Sequence, residues 1–133
     1  VGRLILDTGV LIEVERGRLS LGDFGDNDDL AIAAVTIAEM KMGIALGDEA
    51  HRSPRQHFLE GLRKVLPVED YTPEVADHHS ELMVFARRRG RTRGPHDLII
   101  AATARRTRRT LMTTDKSARF DDLPGIDCIE LKP

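Results

Sequence analysis

Short apolar runs that alternate with helix-length segments constrain this chain more than any other feature. Leu4-Ile5-Leu6 is apolar and closed by Asp7, which reads as a buried strand. Leu30 to Val35 is a second such run, Thr110 to Thr113 a third, and Asp127 to Leu131, with Ile129 and Leu131 on one face, a fourth. Leu66-Pro67-Val68 is a shorter candidate, and its proline restricts it to an edge or a strand end. Gly22 to Asp29 is polar and rich in turn residues, so it reads as a loop.

Helix signals fill the intervals. Thr8 is expected to cap a short helix carrying Val10, Leu11, Ile12 and Val14, with Gly17 as its stop. Thr36 is expected to open a helix through Ile37, Met40, Met42, Ile44 and Leu46, ended by Gly47. Ser53-Pro54 reads as a cap and a first-turn proline, starting a helix that runs to about Val65. Thr72-Pro73 opens another, with Val75, Leu82, Val84 and Phe85 toward the core and Gly90 at its end. Residues 91–95 connect it to a helix from Asp97 to Arg108, whose run Leu98-Ile99-Ile100-Ala101-Ala102 implies deep burial. Strands alternating with helices give an α/β domain with a mostly parallel sheet.

A length of 133 residues suits one compact domain over 1–133, and 41% hydrophobic content can fill its core. The one cysteine, Cys128, excludes an internal disulfide, suits a reducing cytoplasm and is expected in the core beside Ile126 and Ile129. No apolar run approaches the roughly 18 residues of a membrane span, and the opening residues lack a signal-peptide pattern, so no membrane role is expected. The net charge of −2 hides an uneven distribution. Residues 87–109 hold nine arginines and one acid, Asp97, whereas residues 23–29 hold four aspartates and no base. Such a basic segment either binds a polyanion or forms solvated helix ends.

Four acids occupy positions where chemistry is expected. Active sites of open α/β sheets lie beyond the carboxyl ends of the strands. Asp7 ends the first strand, Asp115 follows the strand of Leu111 and Met112, Glu39 follows the second strand, and Asp97 opens the buried helix. Each has a structural alternative. Asp7 and Asp97 sit where helix starts favour acids, Asp115 fits a Thr114-Asp115-Lys116 turn, and Thr36-Ile-Ala-Glu39 has capping-box spacing. Two carboxylates about 4 Å apart repel by roughly 4 kcal/mol at an effective dielectric of 20. A cluster of four therefore requires protonation or a divalent cation, and oxygen-only ligands favour Mg2+ or Mn2+. Zinc spacings are absent, and the adjacent His78 and His79 cannot point the same way on a helix.

The ordered segments Leu4-Ile-Leu-Asp7-Thr-Gly-Val-Leu, Val35-Thr-Ile-Ala-Glu39, Pro95-His-Asp97-Leu-Ile-Ile-Ala-Ala-Thr-Ala104 and Leu111-Met-Thr113-Thr-Asp115 resemble the PIN-domain family, specifically VapC-type toxin ribonucleases. Leu123-Pro-Gly125-Ile before the last strand resembles the family's ending, so the resemblance spans nearly the whole chain. It implies a PIN-like three-layer sandwich and RNA cleavage with Mg2+ or Mn2+, by attack of metal-activated water on a phosphodiester. Asp7, Glu39, Asp97 and Asp115 match the family's metal-site acids, and Thr113 matches a hydroxyl position that orients an acid, water or phosphate. A small cognate antitoxin and a homodimer are the implied protein partners. One position departs from the pattern: Gly9 stands where the family usually has Ser or Asn, which removes a side-chain hydrogen bond to Asp7. Arg91 and Arg93, in the connector leading to Asp97, are the candidate RNA contacts. His96 is expected to be a surface residue or to support the site from outside. The alternatives are a PIN-type RNA-processing nuclease without a toxin role, and a non-catalytic nucleic-acid-binding module.

Overall fold

The structure, a computed structural model, describes residues 2–25, 27–90 and 93–133. Its strands are β1 (Arg3–Leu6), β2 (Asp29–Ala33), β3 (Val68–Glu69), β4 (Thr110–Thr113) and β5 (Cys128–Glu130). They form one sheet in the order β3-β2-β1-β4-β5, and every pairing is parallel. The central strand β1 sets Leu4 beside Leu30 on one side and Leu6 beside Met112 on the other. The helices are α1 (Thr8–Glu15), α2 (Ala34–Leu46), α3 (Glu49–Val65), α4 (Pro73–Arg88) and α5 (Pro95–Thr107). Short 3-10 turns cover Leu21–Asp23, Lys116–Ala118 and Phe120–Asp122.

Both faces of the sheet are covered, as a parallel sheet requires. Alternation along β1 sends Leu4 and Leu6 to one face and Ile5 to the other. Leu4, Leu6, Ile32 and Met112 pack with Val10 and Leu11 of α1, Met40 and Ile44 of α2, and Leu59 and Leu62 of α3. Ile5, Ala33 and Leu111 pack on the opposite side with Val75 and Leu82 of α4, with Leu98, Ile100 and Ala101 of α5, and with Phe120. The result is the expected three-layer α/β sandwich. Gly17 and Gly90 end their helices at φ of 75° and 63°, a conformation that costs glycine little.

Several local expectations are corrected. The cap of α1 is Asp7, whose carboxylate accepts the Val10 N–H at 3.1 Å, and not Thr8. Helix α2 opens at Ala34, directly from β2 and with no side-chain cap. Thr36 therefore lies inside the first turn, and Glu39 lies too far along to close a capping box. Helix α3 opens at Glu49, capped by Asp48 through the His51 N–H at 3.0 Å, so Ser53 is interior and Pro54 sits inside the helix. The earlier cap adds a full turn and places Glu49 against the positive end of the dipole. Val84 is 47% exposed, because Leu82 and Ala86 take the buried face of α4. Cys128 is only half-buried and Ile129 is exposed, since β5 is an edge strand.

Arg109, among the arginines of the basic segment, is buried. Its guanidinium donates to the Leu4 and Asp29 carbonyls at 3.2 and 2.9 Å, to Asp29 Oδ1 at 3.1 Å and to Glu69 Oε1 at 3.3 Å. From the start of β4 it ties the β1 and β2 backbone to Glu69, the last residue of β3. No helix among the described residues is long and apolar enough to cross a membrane.

Candidate active site

The strand order reverses at β1: β2 and β3 lie to one side, β4 and β5 to the other. Connections leave in opposite directions there, which opens a crevice beyond the carboxyl ends of β1 and β4. Asp7 extends the β1 ladder, its N–H donating to the Met112 carbonyl at 3.0 Å. Its side chain is nearly buried, at 6% exposure of the residue. One carboxylate oxygen caps α1, and the other accepts the Thr113 hydroxyl. The same hydroxyl oxygen accepts the Asp115 N–H at 3.0 Å. Thr113 thus joins Asp7 to the turn that carries Asp115, the orienting role the resemblance implies. Asp115 Oδ1 accepts the Ser117 N–H at 2.9 Å and its hydroxyl at 2.5 Å, which fixes the carboxylate over the first turn after β4.

Asp97 enters from the first turn of α5 and its carboxylate folds back beside Gly94, where an added Cβ would lie 3.1 Å from Oδ2. Glu39 reaches the same edge from the second turn of α2. It accepts the Thr8 hydroxyl at 2.8 Å and pairs with His96 Nδ1 at 3.4 Å. Thr8 and His96 therefore serve Glu39, a link that 31 and 57 residues of separation hide from any local pattern.

The electrostatics bind the four acids into one site. Burial, followed by the charges of Asp115, Glu39 and Asp7, pushes the Asp97 carboxyl up to about 6, with His96 opposing. Burial also raises Asp7, against the hydrogen bonds from Thr113 and Val10 and together with the charges of Asp115 and Glu39. Mutual repulsion of this kind is relieved by a cation or by a proton. No three His, Cys, Asp or Glu side chains among the described residues converge tightly enough to cage an ion unaided. A hydrated hard cation needs only one or two direct carboxylates and keeps several waters.

The two arginine candidates fare differently. Arg91 lies outside the described residues. Arg93 is turned inward, with its side chain only 5% exposed. It donates to the Ala118 carbonyl and, at 2.9 Å, to the Arg119 carbonyl, and it stands 3.9 Å from Asp122. The connector before Asp97 is thereby tied to the segment after Asp115, and Arg93 is a brace more than an open RNA contact. At Gly9 the expected loss is made good elsewhere, since Thr113 and the Val10 N–H hold Asp7. A Cβ at position 9 would come within 2.6 Å of the Thr114 hydroxyl oxygen.

A wholly parallel α/β sandwich whose strand order reverses at β1, with acids beyond the carboxyl ends of β1 and β4, belongs to the open-sheet class that places its sites at that reversal. Within that class, the family model described as PIN domain matches residues 4–126, and the chain belongs to this family. It is 30% identical over 102 residues to Ribonuclease VapC of Rickettsia bellii (strain RML369-C), covering 76% of each chain. It is 36% identical over 97 residues to Ribonuclease VapC2 of Mycobacterium tuberculosis (strain CDC 1551 / Oshkosh), covering 71% of this chain and 64% of the relative. In fold it is similar to VapBC2 from Rickettsia felis, solved bound to a promoter DNA fragment, with a TM-score of 0.87, 20% identity and 97% and 98% of the two chains covered. DNA-bound VapBC from Salmonella typhimurium gives a TM-score of 0.85 at 23% identity, with 98% of each chain covered.

Proposed function

We propose that this protein is an Mg2+- or Mn2+-dependent endoribonuclease and the toxin of a toxin–antitoxin pair. The observation that carries the reading is the linked edge of acids, in which one threonine hydroxyl holds both Asp7 and the Asp115 turn, and Asp97 is raised by its burial and then by the charges of the other three. The similarity to ribonucleases named VapC supports RNA as the substrate. Asp7, Asp97, Asp115 and Glu39 would hold the cation, which when bound supplies charge neutralisation at the scissile phosphate and lowers the pKa of water. The chain's own groups do the rest. Thr113 fixes the Asp7 carboxylate, Thr8 fixes Glu39, and Asp97 carries a proton on the acid side of about pH 6.

Asp7→Asn tests this cleanly, because asparagine caps a helix about as well as aspartate and the fold is retained. Titration with Mn2+ is expected to give strong heat for the intact chain and little for the variant, with RNA cleavage lost in parallel. Full cleavage by Asp7→Asn would remove the metal reading. The partner reading follows from the same resemblance. A groove of about 580 Å3 between α2 and α3, lined by Lys41, Ile44, Arg52, Leu59 and Arg63, is the proposed seat of a small antitoxin. Exposed Met83 and Val84 on α4 leave apolar surface for a homodimer, which light scattering of the purified chain would detect.

A further inference from the structure

Beside the acids lies a basic pocket that the cleavage chemistry does not use. Phe85, Ala86, Arg89, Arg93, Arg119 and Asp122 line a cavity of about 170 Å3. A second cleft, of about 260 Å3, begins at Thr113 and Asp115, carries Lys116 and the carboxylates of Asp121 and Glu130, and shares Arg119 and Asp122 with the first. Arg119 and Asp122 thus join the acidic edge to a pocket in which, among the described residues, three guanidinium groups face one carboxylate.

The arginines are built in. Arg93 is the buried frame, and its Nε has no hydrogen-bond partner among the described residues. Arg119 sits at φ 52° and ψ 48°, a left-handed conformation uncommon for a long side chain, and Arg93 grips its carbonyl. The Arg119 guanidinium meets Asp122 Oδ2 at 2.9 Å yet stays half exposed. Arg89, at the end of α4, lies 4.8 Å above the Phe85 ring, which holds its charge at the rim.

We propose that Arg89, Arg93 and Arg119 form an anion subsite for a backbone phosphodiester of RNA, next to the phosphodiester positioned at the acids. Arg93 fixes the pocket, and Arg119 and Arg89 make the contacts. The subsite rests on the ribonuclease reading and reads backbone charge rather than base identity.

The test compares the intact chain with Arg89→Gln/Arg119→Gln, with Arg89→Gln alone, and with Arg106→Gln as a charge-matched change beside Arg3 and Thr107 near the far end of α5. Affinity for a labelled single-stranded RNA is measured in Ca2+ across a salt series, and Mn2+ binding is measured separately by calorimetry. Each lost phosphate contact removes about 0.7 from the log–log salt slope, so the double variant is expected to flatten it by about 1.4. Its affinity is expected to fall roughly tenfold at low salt, from two hydrogen-bonded contacts. Arg89→Gln alone is expected to give about half the slope change, while Arg106→Gln matches the intact chain and Mn2+ binding is retained. Equal affinity and slope in the double variant, or an equal loss in Arg106→Gln, would overturn the subsite. So would tighter binding of polyglutamate than of RNA, which would make the pocket a protein-docking site. An intact chain that binds no Mn2+ and cleaves no RNA would instead defeat the ribonuclease reading itself.

Discussion

Asp97 holds its proton to about pH 6, and that value has a thermodynamic sign. The folded pKa lies above that of a free aspartate, so the folded state binds more protons than the unfolded state between about pH 4 and 6. Stability of the metal-free protein is therefore expected to fall as pH rises through that window and to level off above it. Melting in EDTA from pH 4 to 7 checks this, with Asp97→Asn giving a flatter profile. Mn2+ affinity is expected to climb over the same window, because the cation must displace the proton. Gly9 gives a second test at this scale. A methyl there meets the Thr114 hydroxyl, so Gly9→Ala is expected to cost about 1–3 kcal/mol in urea denaturation. Thr114→Ala in the same chain is expected to return most of that loss, and simple additivity of the two changes would refute the contact. Asp7, Asp97 and Asp115 were legible because each ends an apolar run or opens a helix, whereas Glu39 lies in the second turn of α2 and stood out through the Val35-Thr-Ile-Ala-Glu39 segment. The hydroxyl from Thr8 to Glu39 was not legible, since only the folded sheet brings those two helices together.

Helix α2 decides what Glu39 does. Its start at Ala34 puts Glu39 in the second turn, where a carboxylate serves no cap. Glu39→Gln is accordingly expected to change stability by no more than about 0.5 kcal/mol while weakening Mn2+ affinity tenfold or more. A Glu39→Gln enzyme with unchanged Mn2+ titration would return the residue to a structural role. The same helix marks where sequence reading fails. Strands β1 and β4 were readable because their apolar runs are short and bounded. The starts of α2 and α3 were displaced because competing signals stand close together: Thr36 lies two residues inside the true start, and Ser53-Pro54 follows an earlier cap at Asp48. Local propensity identifies a helix better than it chooses among adjacent caps.

Across the whole molecule, the acidic edge gathers beyond the carboxyl ends of β1 and β4, whereas Arg109 clamps the sheet from the amino end of β4. Arg109→Met leaves Asp29 and Glu69 without their buried partner, although Arg3 still reaches Asp29 at 2.9 Å. The expected cost is about 2 kcal/mol or more, seen as a lower urea midpoint, with Mn2+ affinity retained once the chain is folded. A matching loss of Mn2+ affinity in the folded variant would mean that the two ends are coupled. The layers and the parallel sheet were legible from alternation alone. The clamp was not, because nothing in a run of arginines distinguishes a buried member from a solvated one.

The bond between Thr113 and Asp7 spans 106 residues of chain. On a ribosome, Asp7 is made long before its partner strand exists, and β1 waits with one open side until β4 can slot in beside it. Abandoned or stalled translation products ending before β4 should therefore be harmless to the cell's RNA. The acidic edge is complete only once β4 lies beside β1 and Thr113 reaches Asp7.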